Sequence, residues 1–531
     1  MKIPLPQRTR LINQTGFSLP MVLSMILVFV ILSTSVIGVI QSNLFAANNN
    51  VQRQKALNIA EAGLNYYLWH LSHNSTDFKD GKTTPSSPDP ALGYGPYLHT
   101  YIDDSGINEG TYTLWIKPQG SGSTIATVRS IGQIKNSSVI RTVEAQIGAP
   151  SFASYVLAGD SEFWFGNTET ANGPVHSNVG VHLDGANTTD VTSANASYVP
   201  SASYGGDGST QPGVWCSPSV TTPVNCNTRD KSSWRYPVPS VDFNQITGSL
   251  CTMKKAAFAD YASTSALAGQ ANACTQTPTT RTNAYLPQRA VNGSFSLTKG
   301  YLVELNPGGT YNLYNVNAEN DRSVPYTSAL TLQSVASNIT LPPSGVIFAE
   351  DNVWVRSNST FKGRVTIAAG RLATNSNANI VIADNLLYST KNGTDAIGLV
   401  AEDSVIIAPY AIPSTGAFNF EVDAAMIAQS GNIMYPSTYR TSSSRCTYGW
   451  VNSNQTLSFY GAIATRQLWT WTWLVGNSPC GDAVSSSGTY IAGVKNNTTT
   501  YDYNLLYAPP PSFPSTSSYA ILSWREVLTL P

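Results

Sequence analysis

Residues 17–40, FSLPMVLSMILVFVILSTSVIGVI, form the most apolar segment of the chain. It lies inside a longer segment, residues 11–52, that has no charged residue. About 20 apolar residues are enough to cross the hydrocarbon core of a bilayer, so we expect a membrane-spanning helix here. Positive charge before such a helix predicts a cytoplasmic N-terminus and export of everything that follows. Three basic residues and no acid precede this helix: Lys2, Arg8 and Arg10.

This segment differs from an ordinary secretory signal, whose apolar core has roughly 7–15 residues and is followed by a small-x-small cleavage site. The apolar core is longer here, and the small residues that could replace such a site, Ser33-Thr34-Ser35, are a poor substitute. A plain N-terminal membrane anchor is the alternative that these residues leave open.

The order of basic leader, Gly16, Phe17 and long apolar helix resembles the class III leader of type IV pilins and pseudopilins. In that family a prepilin peptidase cuts between the Gly and the Phe, so the resemblance implies a leader at residues 1–16. The segment KALNIAEAGLNYYLWH, residues 55–70, is similar to the A-x-x-A-E-A-G-L segment of PilX-like minor pilins. The resemblance implies a single-pass protein of the inner membrane that then reaches a pilus or the cell surface. Its implied partners are the prepilin peptidase, membrane lipid and, through the N-terminal helix, other pilins.

Met21 is the fifth residue after the expected cleavage point, where most pilins have Glu. In that family the acid balances the α-amine of a neighbouring subunit, because an uncompensated charge in an apolar filament core is costly. A subunit without the acid is poorly suited to the filament body and better suited to the tip, where one neighbour is missing. This departure indicates a minor, tip-located subunit.

The composition is typical of an exported, β-rich protein. Charged residues make up 11% of the 531 residues, against about 25% in typical soluble domains. Removing residues 1–16 leaves 27 basic and 31 acidic residues, a net charge of −4. The sequence also has no basic tract or arginine cluster. Strong electrostatic binding of nucleic acid is therefore not indicated.

The cysteines all lie in the part expected to be exported, where an even number implies disulfides. They are Cys216, Cys226, Cys251, Cys274, Cys446 and Cys480. Proximity along the chain favours the pairs 216–226, 251–274 and 446–480, and free thiols in the core are the alternative. No pair has the spacing of a zinc site, so we expect no metal, and nothing in the sequence suggests a cofactor.

Residues 17–73 are expected to form one continuous helix, whose second half has an apolar stripe that a small sheet can cover. A loop rich in Pro, Gly and Ser follows at residues 74–97. Short alternating runs then predict an antiparallel meander that ends near residue 150. These runs are Thr111–Lys117, Thr124–Ile131 and Ser138–Ile147.

Residues 151–508 contain a weak repeat, in which two apolar residues and Ala precede a polar turn and further apolar residues. The clearest copies are VIFAEDNV from Val346, VIADNLL from Val381, LVAEDSVI from Leu399 and MIAQSGNI from Met426. The alanines aligned by this repeat are Ala349, Ala383, Ala401, Ala428 and Ala464. Short strands with polar corners predict a parallel β-solenoid, whose insertions are clipped by disulfides. A β-sandwich also explains the short strands, but not the recurring corner.

The predicted fold class is therefore mainly β with a long N-terminal α-helix: a pilin-like helix and antiparallel meander, followed by a parallel β-solenoid. Residues 253–262, between Cys251 and Cys274, are predicted to form a short helix. Residues 509–531 are predicted to form a stiff Pro-rich linker and a final strand, Tyr519–Val527, that returns to the main body.

Three alternating indoles form the strongest candidate ligand site: Trp469, Trp471 and Trp473. In a strand all three would point the same way. Exposed, they would make a flat platform for sugar rings or bases, with Tyr460 and Arg466 nearby for polar contacts. Buried, they would simply be the core of a hairpin.

Acids at the repeat corners are candidates for catalysis or calcium binding on one edge of the solenoid. They are Glu350, Asp351, Asp384, Glu402 and Asp403. Solvated turns, where Asp is favoured by local hydrogen bonds, are the alternative that we prefer. His176 is predicted to be structural, and residues 184–190 lack the pattern of a calcium loop. We therefore expect no catalytic residues and no enzyme.

The architecture resembles the large competence-associated minor pilins proposed to sit at pilus tips. It implies a tip subunit of a type IV pilus, or of a type II secretion pseudopilus, that displays an adhesive or receptor solenoid. One rival is an envelope-tethered β-helix enzyme acting on polysaccharide, which requires the corner acids to converge in a groove. The other is a DNA-uptake receptor, which requires a basic groove. The ligand is accordingly expected to be a surface glycan or DNA.

Overall fold

A computed structural model describes residues 18–74, 77–83, 87–118, 125–166, 169–217, 230–259, 274, 276–289, 299–319, 329–373, 378–412, 417–436, 455–474, 490–494, 496–516 and 519–527. The protein has one long N-terminal helix, then an antiparallel sheet, then large parallel sheets. This arrangement confirms the predicted fold class.

Helix α1 (Ser18–His73) is 56 residues long and spans about 84 Å at 1.5 Å per residue. Pro20 lies in its first turn, where a missing N–H costs no hydrogen bond. The first half of the helix is exposed. The second half buries a stripe at helical spacing, formed by Ala56, Ile59, Ala60, Leu64, Tyr67 and Leu71.

An antiparallel sheet of five strands covers this stripe, in the order β1, β2, β3, β4, β33. Its strands are β1 (Tyr94–Ile102), β2 (Asn108–Pro118), β3 (Ile125–Ile134), β4 (Ile140–Gly148) and β33 (Ala520–Val527). Alternate residues of the three middle strands are buried, as expected when one face of a sheet is covered. The three predicted runs correspond to β2, β3 and β4. Strand β1 was not predicted, because Gly95 and Pro96 interrupt its pattern.

The last strand, β33, pairs antiparallel with β4. Residues 149–519 are thus an insertion between two adjacent strands of one sheet. Two backbone hydrogen bonds fasten the two chains where they leave the sheet: Phe152 N donates to Pro514 O at 3.0 Å, and Thr516 N donates to Pro150 O at 2.8 Å. The final strand therefore returns to the sheet against α1, which the sequence did not specify.

The insertion is built on parallel strands in two principal sheets. In spatial order the first sheet contains β15 (Trp234–Arg235), β11 (Val191–Ser193), β8 (Val175–Ser177), β5 (Leu157–Gly159), β28 (Gln455–Thr465), β26 (Phe418–Ala428), β24 (Ala396–Ala401), β22 (Arg364–Ala369), β20 (Val346–Ala349) and β16 (Tyr285–Leu286), and β32 (Asn496–Tyr501) also pairs with β28.

The second sheet contains β19 (Leu330–Thr340), β18 (Thr310–Glu319), β17 (Gly300–Leu305), β21 (Asn352–Ser357), β23 (Ile380–Ile382), β25 (Val405–Ile407), β27 (Ile433–Met434) and β29 (Trp469–Thr470). A smaller sheet contains β14 (Val214–Trp215), β9 (Val181–Leu183) and β6 (Phe163–Phe165). Three further pairs are β7 (Thr170–Ala171) with β10 (Ala186–Asn187), β12 (Ser197–Tyr198) with β13 (Gln211–Pro212), and β30 (Thr472–Leu474) with β31 (Tyr490–Gly493). Buried Val, Ile, Leu, Ala and Phe side chains from the principal sheets form one core.

The parallel strands that stack on one another, called rungs here, do not follow their order in the sequence. The early strand β5 pairs in parallel with the late strand β28, at Leu157 opposite Ile463. The chain then passes through helix α2 (Gln245–Ala259) to β16, which pairs with β20, and the later rungs wind back toward β5. A local repeat contains no information about this long-range pairing, so the sequence did not predict it.

The alanine alignment is correct in part. Ala349, Ala401 and Ala428 share one ladder through Ala369, which the alignment missed. Ala383 follows β23 in the other sheet, and Ala464 is one residue out of register because Thr465 pairs with Ala428. Ala383 was misaligned because the strand ends of the two sheets have the same short apolar pattern, and Ala464 was misaligned because the pattern does not fix the register of β28 to one residue.

The Pro-rich segment packs on the solenoid. The Arg364 guanidinium donates to the carbonyl oxygens of Ala508 and Pro509 at 2.8 and 2.7 Å, and Phe513 is 6% exposed. The segment predicted to be a stiff extended linker thus also contacts the solenoid, because its carbonyl oxygens accept hydrogen bonds from Arg364 and Phe513 is buried.

Candidate functional site

The first half of α1 is an apolar surface that the described residues leave uncovered. Two of its side chains, Phe29 and Phe45, are 72% and 70% exposed. Such an apolar surface is stable in lipid or against other apolar helices, and not in water. Among the described residues, α1 is the one helix long and apolar enough to cross a membrane. The second half of α1, the five-stranded sheet and the insertion are together called the head below.

Met21 lies in this exposed half and is 65% exposed. The first turn of the helix contains no acid. Gly16 and Phe17, the expected cleavage residues, lie outside the described residues. Their role stays a prediction.

Two glycines allow the helix and the sheet to approach closely. A Cβ on Gly63, in the Ala-Glu-Ala-Gly segment, would lie 2.3 Å from Ser130 Oγ and 2.8 Å from the Tyr112 ring. A Cβ on Gly132 would lie 2.3 Å from the carbonyl oxygen of Ala56. The Ala-Glu-Ala-Gly segment is therefore a place where α1 packs closely against the sheet.

The alternating tryptophans do not form an exposed platform. Trp471 and Trp473 are 3% and 7% exposed, and Trp469 is half-buried. The Trp473 indole N–H donates to the Tyr435 carbonyl oxygen at 2.8 Å. Of the two alternatives that the sequence left open, the exposed platform does not describe these two residues, and the buried hairpin core does.

A break in the strand explains why the three indoles do not line one platform. Trp469 pairs with Ile433 in the second sheet, whereas Trp473 pairs with Ala492 in a separate hairpin. Between them, the Thr470 hydroxyl accepts a hydrogen bond from Thr472 N at 3.2 Å. The chain therefore changes partners at Trp471, and the alternation of a continuous strand does not apply.

Tyr460 and Arg466 each have partners away from the indoles. The Tyr460 hydroxyl donates to Asp502 at 2.9 Å, and the Lys391 ammonium lies 4.5 Å from the centroid of the Tyr460 ring. Arg466 lies 3.5 Å from Asp160. The described contacts do not bring these two side chains together with the tryptophans as one site, and a ligand role for them stays a proposal.

The corner acids are not gathered in an open groove. Glu350 and Asp351 are 1% and 2% exposed. Glu350 forms an ion pair with Lys254 of α2, and Asp351 accepts a hydrogen bond from Arg289 N at 2.9 Å. Burial raises the pKa of Glu350, and it raises the pKa of Asp351 to about 6. The preferred alternative of a solvated turn is wrong for both, because α2 covers this corner.

Two of the remaining corner acids have local roles. Asp384 accepts from Asn385 N at 2.7 Å, and Asp403 accepts from the Ser404 hydroxyl at 3.2 Å, which are contacts of the kind that favours acids in turns. Glu402 instead accepts from Arg371 N at 2.6 Å and so joins two segments that are far apart in the chain. Burial raises the pKa of both Glu402 and Asp403.

His176 lies inside strand β8 and is 2% exposed. Its two ring nitrogens contact Thr192 and Asn178, both at 3.0 Å, and burial lowers its pKa. Asp184 is also buried, 3.0 Å from His182. In the part of the chain that the structure describes, no group of three His, Cys, Asp or Glu side chains could hold a metal.

One of the predicted disulfides is present, Cys251 with Cys274, at a Cα–Cα distance of 5.2 Å. Cys216 is also disulfide-bonded. The other three cysteines, Cys226, Cys446 and Cys480, lie outside the described residues, so the pairs 216–226 and 446–480 stay predictions.

Sequence reasoning missed the residues that surround the Glu350 corner, above all Lys254 and Tyr285. Lys254 is 0% exposed, although lysine is among the residues least often buried. The one available signal was its position in an amphipathic helix clipped by a disulfide, with apolar neighbours on the same face. That signal does not identify the acid it meets.

Comparisons with known proteins do not assign this chain to a family. No family model matches the chain, and no curated protein matches its sequence. Among solved structures it is similar to the crystal structure of the competence-associated pilin ComZ from Thermus thermophilus. The sequence identity is 10%, the TM-score is 0.26, and the alignment covers 90% of this chain and 98% of that one. A likeness this low carries no argument about fold or function.

Proposed function

We propose that this protein is a minor, tip-located pilin-like subunit, anchored by α1, which displays its solenoid as a non-catalytic adhesive or receptor surface. The expected setting is a type IV pilus, with a secretion pseudopilus as the nearest variant. The proposal rests on the sequence of the leader and on the division of α1 into two halves.

The division of α1 is the observation that carries the proposal. The first half is uncharged and exposed, and the second half buries one stripe of its side chains under the sheet. A helix that only anchored the protein would not need to continue into the core of the head. Continuity instead lets the head move together with the apolar half when that half leaves the bilayer and packs on the helices of other pilins.

Cleavage between Gly16 and Phe17 by the prepilin peptidase would make Phe17 the new N-terminus. Before cleavage, residues 1–16 would lie inside the cell and the head outside. After cleavage and until assembly, the helix would still cross the inner membrane once. After assembly, the protein would be part of the filament or lie at the cell surface. Met21 leaves the first turn without the acid that a shaft subunit uses, which favours the tip.

The rival functions have less support from the described residues. The enzyme needs converging acids that a polysaccharide can reach, and Glu350 and Asp351 are buried at a covered corner. The DNA receptor needs a basic groove, and the mature chain has a net charge of −4. A surface glycan is the ligand class that this display surface fits better, because its binding does not require excess positive charge.

The proposal is tested by asking whether the chain is found in filaments. Leu32, which is 58% exposed in the apolar half, is replaced by Arg, and Asn48 in the polar part of the same helix is replaced by Arg as the matched control. A charge at the centre of a bilayer costs about 3 kcal/mol. We expect the native chain and Asn48→Arg in sheared filaments, and not Leu32→Arg. Absence of the native chain from filaments would overturn the proposal.

A further inference from the structure

Lys254 and Glu350 form an ion pair that water does not reach. Their side chains are 0% and 2% exposed. The other described ion pair that joins a lysine to a deeply buried acid, Lys391 with Asp423, leaves its lysine 47% exposed. The first pair therefore stands apart in its complete separation from solvent.

Much of the surroundings of this pair is apolar, although Arg371 is a further charge close enough to lower the pKa of Glu350. Met253 and Ala257 on α2 are 0% exposed, as is Phe348, which lies two residues before Glu350. Phe258 stacks on Tyr285 with ring centroids 4.3 Å apart. Two separated charges are costly in such a place, and their conversion to an uncharged product removes that cost.

A neighbouring carbonyl group orients the reacting nitrogen. The Lys254 ammonium donates to the carbonyl oxygen of Gln276 at 2.6 Å, which fixes the direction of one N–H bond. The Tyr285 hydroxyl donates to the carbonyl oxygen of Pro278 at 3.2 Å. Tyr285 therefore contributes a buried ring to this corner, and the carboxyl group is positioned by its ion pair with Lys254.

We propose that Lys254 and Glu350 condense to an internal amide bond that fastens α2 to the solenoid. The Lys254 ammonium gives a proton to the Glu350 carboxylate, which leaves a neutral amine and a carboxylic acid. The amine nitrogen then attacks Cδ of Glu350. A nitrogen–carbon bond forms, a carbon–oxygen bond breaks, and one water leaves with the second proton from the nitrogen.

This reaction requires no oxidant, reductant or other reactant. Holding an amine against a carboxyl group supplies a large effective concentration, and the absence of solvent opposes hydrolysis of the product. Burial raises the pKa of Glu350, which favours the protonated carboxyl that the attack requires.

The bond would complete a double fastening of one segment. Cys251, one turn before Lys254 on α2, is already joined to Cys274. The disulfide closes the segment on itself, whereas the amide would attach it to the end of strand β20. An exported protein would then keep this corner covered even after reduction of the disulfide.

The test is peptide mass spectrometry on the full exported chain after reduction and digestion with trypsin. We expect one peptide that contains Lys254 to be joined to the peptide that contains Glu350, at their summed mass less one water. We expect Lys391 and Asp423 to remain in separate peptides, because solvent reaches Lys391. Recovery of Lys254 and Glu350 in separate linear peptides, at the masses of their sequences, would overturn the proposal.

A variant checks the chemistry. Lys254→Arg keeps a buried cation but has no amine that can form this amide. Its intact mass should exceed that of the native chain by the residue difference and one water. A difference equal to the residue change alone would show that no water was lost in the native chain and would overturn the proposal. The native digest decides the question even if this variant fails to fold.

Discussion

Gly148 and Ala520 lie opposite each other in an antiparallel strand pair, although the whole solenoid lies between them in the chain. The strand that contains Ala520 is held by side chains as well. Glu144 of β4 accepts from Arg129 at 2.8 Å and from Arg525 of β33 at 3.0 Å. One acid thus ties the returning strand to the middle of the sheet.

We expect Glu144→Gln to lower the free energy of unfolding by about 1–2 kcal/mol at pH 7. Burial alone would raise the pKa of Glu144, but hydrogen bonds from Arg129 and Arg525 outweigh it and hold the pKa below its ordinary value. A lowered pKa stabilises the fold above the unfolded value, about 4.3, and this stability is lost as pH falls through the folded value.

Urea unfolding of both proteins at pH 7 and at pH 3 measures this effect. The difference between Glu144→Gln and the native protein should shrink at the lower pH. Glu526→Gln, in a pair whose two side chains are each 36% exposed, is the control and should change stability by less than about 0.5 kcal/mol. A difference that stays constant with pH would contradict the explanation.

Gly63→Ala should destabilise the head by about 1–2 kcal/mol. Its new methyl group meets Ser130 and Tyr112, and overpacking of this kind costs about 1–3 kcal/mol, partly offset by the better helix propensity of alanine. Thermal unfolding of the double variant with Ser130→Gly should recover part of the loss. Gly38→Ala, where nothing lies within 4 Å, is the matched control. Equal effects at both positions would exclude a contact with the sheet.

Trp473→Ala should cost about 3–5 kcal/mol, because it empties a buried site and removes the hydrogen bond to Tyr435. Thermal unfolding measures the loss, and glycan arrays measure binding under conditions where the variant is folded. The structure predicts a lower Tm with glycan binding retained. Loss of glycan binding at an unchanged Tm would instead support an exposed tryptophan platform that binds the ligand.

On the proposed function, Met21→Glu should move the subunit from the filament tip into the shaft, because it adds the acid that the resemblance to pilins implies for a shaft subunit at this position. Immunogold labelling along isolated filaments measures the distribution. Met25→Glu, one helical turn later, is the control and should reduce incorporation instead. Labelling that stays at the tips in Met21→Glu would contradict the role assigned to this position.

Local patterns predicted the parts of the fold that local chemistry determines. The uncharged run gave α1, and the alternation of Thr111–Lys117 and its neighbours gave the meander. The Ala-acid corner gave the solenoid, with three of the five alanines in one ladder. In each case the residues that specify the element lie within that element.

The remainder depends on contacts between distant segments. Nothing near Leu157 indicates that it stacks beside Ile463, and nothing near Ala520 indicates Gly148. The sequence did not settle whether Trp473 is buried, because the alternating pattern of residues 469–473 does not reveal that the chain changes strand partner there. Lys254 and Glu350 are similarly far apart in sequence, so their pairing is visible only in the folded chain.

The N-terminal residue of the mature protein, read by mass spectrometry on membrane and sheared-filament fractions, decides whether this protein is processed as a pilin. We expect a chain that begins at Phe17. A Gly16→Val variant should keep its leader and be absent from filaments. A native chain that begins at Met1, or one cut near Ser35, would exclude a pilin-like subunit, since this would then be an anchored or secreted solenoid protein without a filament.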